Sequence, residues 1–166
     1  MNHKEQRAIE LKEKRPRAGY CGFYNRIIKR IVDFILSLVA AVVVTPIVFV
    51  IGFFIAIEDG FPVLYTPLRG GYRGKAFRIF KLRTMYKDAD KLGGTTALND
   101  PRITRMGKAL RKLKLDELPQ VYNVLLGSMS FIGPRPELLR YTEAYKNEEK
   151  IILEVRPGIT DFSSIE

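Results

Sequence analysis

Asp116 and Glu117 are the only acids in a stretch, residues 102–136, that is otherwise crowded with Arg and Lys. Arg111 lies five residues before Asp116, and Lys81, Arg83, Arg135 and Arg156 are further candidate cations. A carboxylate pair ringed by cations suits a nucleotide diphosphate held with a divalent metal, one acid ligating the metal and the other attacking phosphorus. Charge spreading over the phosphoryl oxygens is then met by arginine, whose planar fork binds two oxygens at once. The same acids have a plainer use, as N-cap and first-turn charge of a helix. Either use asks for a helix from about Asp116 to Leu126. Pro119 would sit in its first turn, Gly127 would end it, and Leu118, Val121, Tyr122 and Leu125 would be its buried stripe.

Composition narrows the chemistry. The 166 residues include one Cys (Cys21) and one His (His3), which removes intrachain disulfides, thiolate zinc cages, Ser-His and Cys-His triads and histidine metal sites. Carboxylates, Lys, Arg, Tyr and a hard, oxygen-seeking cation remain. The formal charge of +10 suits phosphorylated substrates, anionic lipid headgroups or nucleic acid.

The elements that must position these groups begin with an uncharged run, Phe34 to Ile57, with Thr45-Pro46 at its centre. As a straight helix it would be about 36 Å long, enough to cross a hydrocarbon core of about 30 Å. Its flanks argue against crossing. Residues 1–30 hold nine Lys/Arg against three acids, and residues 60–87 hold seven Lys/Arg and no acid. Basic flanks stay on the cytoplasmic side, so both ends ask for the same side. Pro46 lacks the N–H for the Val42 carbonyl, and the Thr45 hydroxyl can bond back to Ala41. The expectation is a helix-break-helix hairpin that dips into one leaflet and returns. An ordinary kinked span is the alternative, and a nucleic-acid binder has no use for such a run.

Before the run, residues 1–19 read as a basic arm and Tyr20 to Asp33 as an amphipathic lead-in, with Asp33 paired to Lys29 or Arg30. After it, Pro62–Thr66 and Phe77–Met85 read as two strands joined by a glycine-rich loop, with Lys81 and Arg83 on one face. Residues 88–101 form a polar loop. Ile103, Met106, Leu110 and Leu113 then make the apolar stripe of a basic helix, lying on the membrane surface, packed on the core, or both at once. Gly133-Pro-Arg-Pro136 is a rigid turn, and Glu137 to about Val155 reads as helix.

Several blocks together resemble the bacterial sugar transferases, the monotopic phosphoglycosyl transferases. They are Phe80-Lys-Leu-Arg-Thr-Met85, Asn99-Asp-Pro-Arg-Ile-Thr104, Leu115-Asp-Glu-Leu-Pro-Gln120, Asn123-Val-Leu-Leu-Gly127, Met129-Ser-Phe-Ile-Gly-Pro-Arg-Pro-Glu137 and Arg156-Pro-Gly-Ile-Thr160, with the proline-broken apolar helix. The resemblance runs in order from Tyr24 to Thr160. It departs at Ser128, where many members carry Asp, and in ending sooner after the last block.

The resemblance implies transfer of sugar-1-phosphate from a UDP-sugar to a polyprenol phosphate, such as undecaprenyl phosphate, with release of UMP. It implies that Asp116 is the nucleophile, that Glu117 is the acid associated with Mg²⁺, and that Lys81, Arg111 and Arg135 meet substrate phosphates. It places the protein at the cytoplasmic face of a bacterial inner membrane, bound to anionic lipid, at the start of glycan assembly. Direct displacement with both acids as metal ligands, and an inactive lipid-phosphate adaptor, stay open as alternatives, as does a homodimer.

The expected fold is therefore α+β and mostly helical: a re-entrant membrane hairpin, then a small head with a short β-hairpin and interfacial amphipathic helices. The expected divisions are 1–23 for the arm, 24–58 for the lead-in and membrane helix broken at Thr45-Pro46, and 59–166 for the head.

Overall fold

The computed structural model describes residues 27–87, 89, 100–146 and 149–161. The basic arm with His3, the first half of the lead-in with Cys21, and most of the polar loop lie outside these residues. What is described is mostly helical with three small sheets, in line with the expected class.

One helix dominates. Helix α1, Lys29–Asp59, runs 31 residues with Pro46 inside it. The expected division into two helices at Thr45-Pro46 is not observed. Proline removes one hydrogen bond, and the Thr45 hydroxyl donates to the Ala41 carbonyl at 2.6 Å, so the backbone stays helical through the site. The face of α1 turned to the protein is the less apolar one: Asp33, Ser37, Val44, Gly52 and Ile55 are its buried residues. The outward face carries the bulk, with Val42 73% and Phe49 78% exposed. Leaving one large apolar side chain in water forgoes about 1.5–3 kcal/mol, so a face of this kind is built for lipid.

The head lies against α1 along its whole length. At the N-terminal end Arg30 donates to the carbonyls of Val124 and Leu125 at 2.6 and 2.9 Å. Asp33, buried, accepts from Ser130 Oγ at 2.7 Å and pairs with Lys29 at 3.4 Å, the expected partner one turn back. Midway, Thr45 Oγ1 and Tyr122 OH are 2.8 Å apart. At the C-terminal end Ile55 packs with Leu82 and Leu110 in one of two small cores.

The first expected strand shortens, a further strand forms inside the expected glycine-rich loop, and the second expected strand divides. Strands β1 (Leu64–Tyr65) and β4 (Lys81–Leu82) pair antiparallel, as do β2 (Leu68–Gly70) and β3 (Ala76–Arg78). Pro67 has no N–H to carry a ladder across the first break. At the second break Asn123 substitutes for a strand, donating to the Arg78 carbonyl and accepting from the Phe80 N–H, both at 2.8 Å. Asn123 is almost wholly buried and also donates to Ser128 Oγ at 3.2 Å, so Ser128 serves this anchor.

Helix α2, Arg105–Lys112, is capped by Thr104 and receives Glu58 from the end of α1. Glu58 accepts from the N–H groups of Arg105 and Met106 at 2.9 and 3.2 Å. Its apolar stripe settles inward: Ile103 and Leu110 are buried and Met106 packs on the Ile55 core, leaving only Leu113 of the four outside. Of the two compatible placements expected for this helix, packing on the core is observed. Gly107 permits the fit, because a Cβ there would fall 2.1 Å from the Thr84 carbonyl oxygen.

Helix α3, Gln120–Leu126, ends at Gly127 in the left-handed region, as expected. Strand β5 (Ser130–Ile132) pairs in parallel with β6 (Gly158–Thr160), a pairing not anticipated from periodicity. The expected long C-terminal helix is instead α4, Leu139–Ala144, followed by a 3₁₀ segment, Glu149–Glu154.

Candidate active site

Asp116 and Glu117 sit one turn earlier than expected relative to the helix, on a 3₁₀ turn, Leu115–Glu117, between α2 and α3. Lys114 enters the turn in the left-handed region, which reverses the chain after α2. Leu115 packs on the Ile55–Leu82–Leu110 core and pins the turn, leaving the two acids at the edge of the head.

Glu117 is the best-defined group. Its Oε1 accepts from Lys81 Nζ at 2.6 Å, and Arg135 Nη2 lies 3.5 Å away. Lys81 reaches it from β4, where it stands opposite Tyr65 of β1. Burial pushes the Glu117 carboxyl up, but the Lys81 hydrogen bond and charge, with Arg135 and Lys114, outweigh it and leave the pKa lowered. Asp116 goes the other way. Burial raises its pKa, Lys81 pulls it down, the neighbouring Glu117 charge pushes it up again, and Arg111 pulls weakly down. Two adjacent carboxylates with pKa values driven apart are the arrangement in which one holds a fixed charge and the other can exchange states.

Arg111 leaves the end of α2 and donates from Nε to Thr84 Oγ1 at 2.8 Å, and its positive charge reaches Asp116. Arg135 stands on the Gly133–Pro136 segment, two-thirds exposed. That segment is held by Gly133 donating to the Thr160 carbonyl at 3.1 Å and Gly158 donating to the Pro134 carbonyl at 2.9 Å. Asp116, Glu117, Lys81, Arg111 and Arg135 are thus brought together.

Two expected members are elsewhere. Arg83 is buried and tied to the end of α1, its Nη2 donating to the Asp59 and Gly60 carbonyls at 3.1 and 2.5 Å and pairing with the Asp59 carboxylate at 3.1 Å. Strand β4 ends at Leu82, so the alternation that would have put Arg83 beside Lys81 does not extend to it. Arg156 caps the far end of α3, donating to the Gly127 carbonyl at 3.0 Å and lying over the Tyr72 ring at 5.3 Å. Cations are favoured at a helix C-terminus, which is what Arg156 and Arg30 supply together.

Thr84 and Asn123 were not anticipated as supports of the site. Both lie within blocks that carry the family resemblance, Phe80–Met85 and Asn123–Gly127.

Among the described residues no group of three or more potential metal-ligating side chains occurs. Two neighbouring carboxylates nevertheless fit Mg²⁺, which is commonly held by one or two carboxylates with water and substrate phosphates completing the shell.

With the acids, their cations and the lipid-type helix in place, comparison with known proteins gives the class. The bacterial sugar transferase profile matches residues 24–166, and the chain belongs to that family. It is 44% identical over 122 residues to a Bacillus subtilis (strain 168) protein provisionally named undecaprenyl-phosphate N-acetylgalactosaminyl 1-phosphate transferase, covering 73% of this chain and 68% of that one. It is 37% identical over 145 residues to the UDP-glucose:undecaprenyl-phosphate glucose-1-phosphate transferase of Escherichia coli (strain K12), covering 85% of this chain and 31% of that one. A third relative is UDP-N-acetylgalactosamine-undecaprenyl-phosphate N-acetylgalactosaminephosphotransferase of Aeromonas hydrophila, 37% identical over 142 residues, 83% of this chain and 34% of that one. The chain therefore spans about two thirds of the first relative and about a third of the other two.

Proposed function

We propose that this protein transfers sugar-1-phosphate from a UDP-sugar to undecaprenyl phosphate, releasing UMP, by a covalent intermediate on Asp116. The observation that carries the reading is the split between the two acids: Glu117 is fixed by Lys81 at 2.6 Å, while Asp116 has no such bond and a raised pKa. A carboxylate oxygen of Asp116 attacks the β-phosphorus, and the bond to the α-phosphate oxygen breaks as UMP leaves. A phosphate oxygen of the lipid then attacks the same phosphorus, and Asp116 departs as carboxylate. Lys81, Arg111 and Arg135 counter charge on the phosphoryl oxygens. Mg²⁺, held by Glu117 and the donor diphosphate, would supply further charge neutralisation there.

The same reading puts both ends of α1 on one face of the membrane, the cytoplasmic face of the bacterial inner membrane. Bonds from the head to Arg30, Thr45 and Glu58 follow the helix end to end. A helix crossing the bilayer along its normal would carry one of those ends to the opposite side. The basic flanks then lie toward anionic headgroups. The relatives act on both glucose and N-acetylgalactosamine donors by name, so the sugar is left to a donor panel.

The test is Asp116→Asn in the full chain with radiolabelled UDP-sugar, undecaprenyl phosphate and Mg²⁺. The variant should release no UMP, and acid-quenched wild-type protein should carry label that the variant lacks. UMP release by the variant at the wild-type rate would end the covalent scheme.

A further inference from the structure

Arg69 stands in β2, half-buried, and its Nη1 has no hydrogen-bond partner although it is shielded from solvent. Arg83 also has unsatisfied buried nitrogens, but Asp59 balances its charge. Arg69 has no carboxylate partner among the described residues. A buried N–H without an acceptor is costly, more so on a charged group, so the site holds unused binding capacity.

The backbone shows where that capacity points. Gly70, the next residue, donates to the Glu137 carbonyl at 2.9 Å, so β2 is stitched to the loop that carries Arg135. The approach is tight, since a Cβ on Gly70 would fall 2.4 Å from the Thr142 side chain. Arg135 itself pairs with Glu117 at 3.5 Å, so the strand that carries Arg69 is tied to the loop whose arginine belongs to the acid–cation cluster. Burial lowers the Arg69 pKa, Tyr65 opposes this, and the positive charge of Arg135 adds to it, which marks two guanidinium groups in each other's field.

Resting on the function proposed above, we infer that Arg69 and Arg135 form a two-arginine clamp for a substrate phosphate, with Arg69 the inner prong. Two like charges in each other's field on a tightly packed scaffold are relieved by an anion between them, and arginine meets phosphate with paired N–H groups. Both substrates carry phosphate. The geometry favours the diphosphate of the soluble donor, because the clamp is built on the β2–β3 hairpin, the 133–137 loop and α4, whereas α1 packs mainly on α3, α2 and β5.

The test compares Arg69→Ala, Arg69→Lys and, as a control on the same hairpin, Arg78→Ala. Each is measured for the KM of the UDP-sugar, the KM of undecaprenyl phosphate, UMP binding by calorimetry, and melting temperature. Arg69→Ala should raise the donor KM and weaken UMP binding by about tenfold or more, the scale of one charge-assisted hydrogen bond. The lipid KM should hold, and Arg78→Ala should match wild type. Arg69→Lys keeps the charge and loses the fork, so it should be intermediate, and it reads the same constants if the alanine variant fails to fold. Unchanged donor KM and UMP affinity in a folded Arg69 variant would overturn the clamp. A rise confined to the lipid KM would overturn its assignment to the donor. Wild-type protein that neither binds nor releases UMP would instead remove the functional reading itself.

Discussion

Replacing Lys81 by Met separates the electrostatic role of this lysine from a simple substrate contact. Lys81 and Glu117 are 2.6 Å apart with side chains 21% and 20% exposed, which places the pair between surface and interior. Exposed pairs contribute about 0–1 kcal/mol, while removing one partner of a buried pair costs about 3–5 kcal/mol. Methionine keeps the aliphatic bulk but leaves Glu117 with Arg135 alone, 3.5 Å away and two-thirds exposed. The expected loss is about 2 kcal/mol, or a fall of about 4–8 °C in melting temperature.

The kinetic consequence is more specific. In the proposed scheme Asp116 must be ionised to attack; burial raises its pKa, and Lys81 is the largest influence pulling it back. Without Lys81 the ionisation of Asp116 moves to higher pH, and the acid limb of kcat/KM moves with it. UMP release across the mildly acidic to mildly alkaline range should show the variant most impaired at the acidic end and partly rescued by alkali. A loss merely of phosphate contact would lower kcat/KM evenly and leave the limb in place. A folded variant whose limb is unmoved, or moved to lower pH, refutes the reasoning.

Three further outcomes follow from the same geometry. Asp116→Asn should melt at a higher temperature than wild type near neutral pH: a carboxyl with a raised folded pKa favours the fold when protonated, and that contribution is lost as pH rises through the folded value. Scanning calorimetry reads this, and an unchanged or lower melting temperature counts against a buried Asp116. Arg156→Ala should cost about 1–2 kcal/mol of stability through the end of α3 while leaving the donor KM within about twofold, so a large KM effect would return Arg156 to the substrate site. Single cysteines at positions 29 and 75, in chains with Cys21 replaced, should be labelled from the same side of sealed inverted vesicles; labelling from opposite sides would remove the one-faced placement of α1.

Much of this arrangement was legible before any coordinates, and the misses have physical causes. The Thr45 hydroxyl bond to Ala41, the Lys29–Asp33 pair and the Gly127 cap each depend on residues within four positions, where sequence spacing and geometry are nearly the same thing. Lys81 and Arg135 converge on Glu117 from 36 and 18 positions away. Local pattern shows only that each is a cation; motif resemblance supplied the rest. Arg83 and Arg156 were misplaced because charge says nothing about which anion or dipole will claim it. One was claimed by the end of α1 and the other by the end of α3. The second strand divided because Asn123 takes over hydrogen bonds from 45 residues away, which no alternation of apolar residues can signal.

The apolar helix is a structural part of the site as well as its lipid-facing element. Glu58 at its last turn caps α2, and α2 delivers Arg111. Asp59 holds Arg83, the residue next to Leu82, and so fixes the strand from which Lys81 reaches Glu117. Ile55 closes the core on which Leu115 packs, immediately before Asp116. The outward face of the same helix is large and apolar, so whatever orients that face in lipid also orients the two acids. A chemistry that joins a water-soluble diphosphate to a lipid phosphate needs its nucleophile held at a fixed height above the lipid. Here three short routes, through Glu58, Asp59 and Ile55, join the apolar helix to the two acids and their cations.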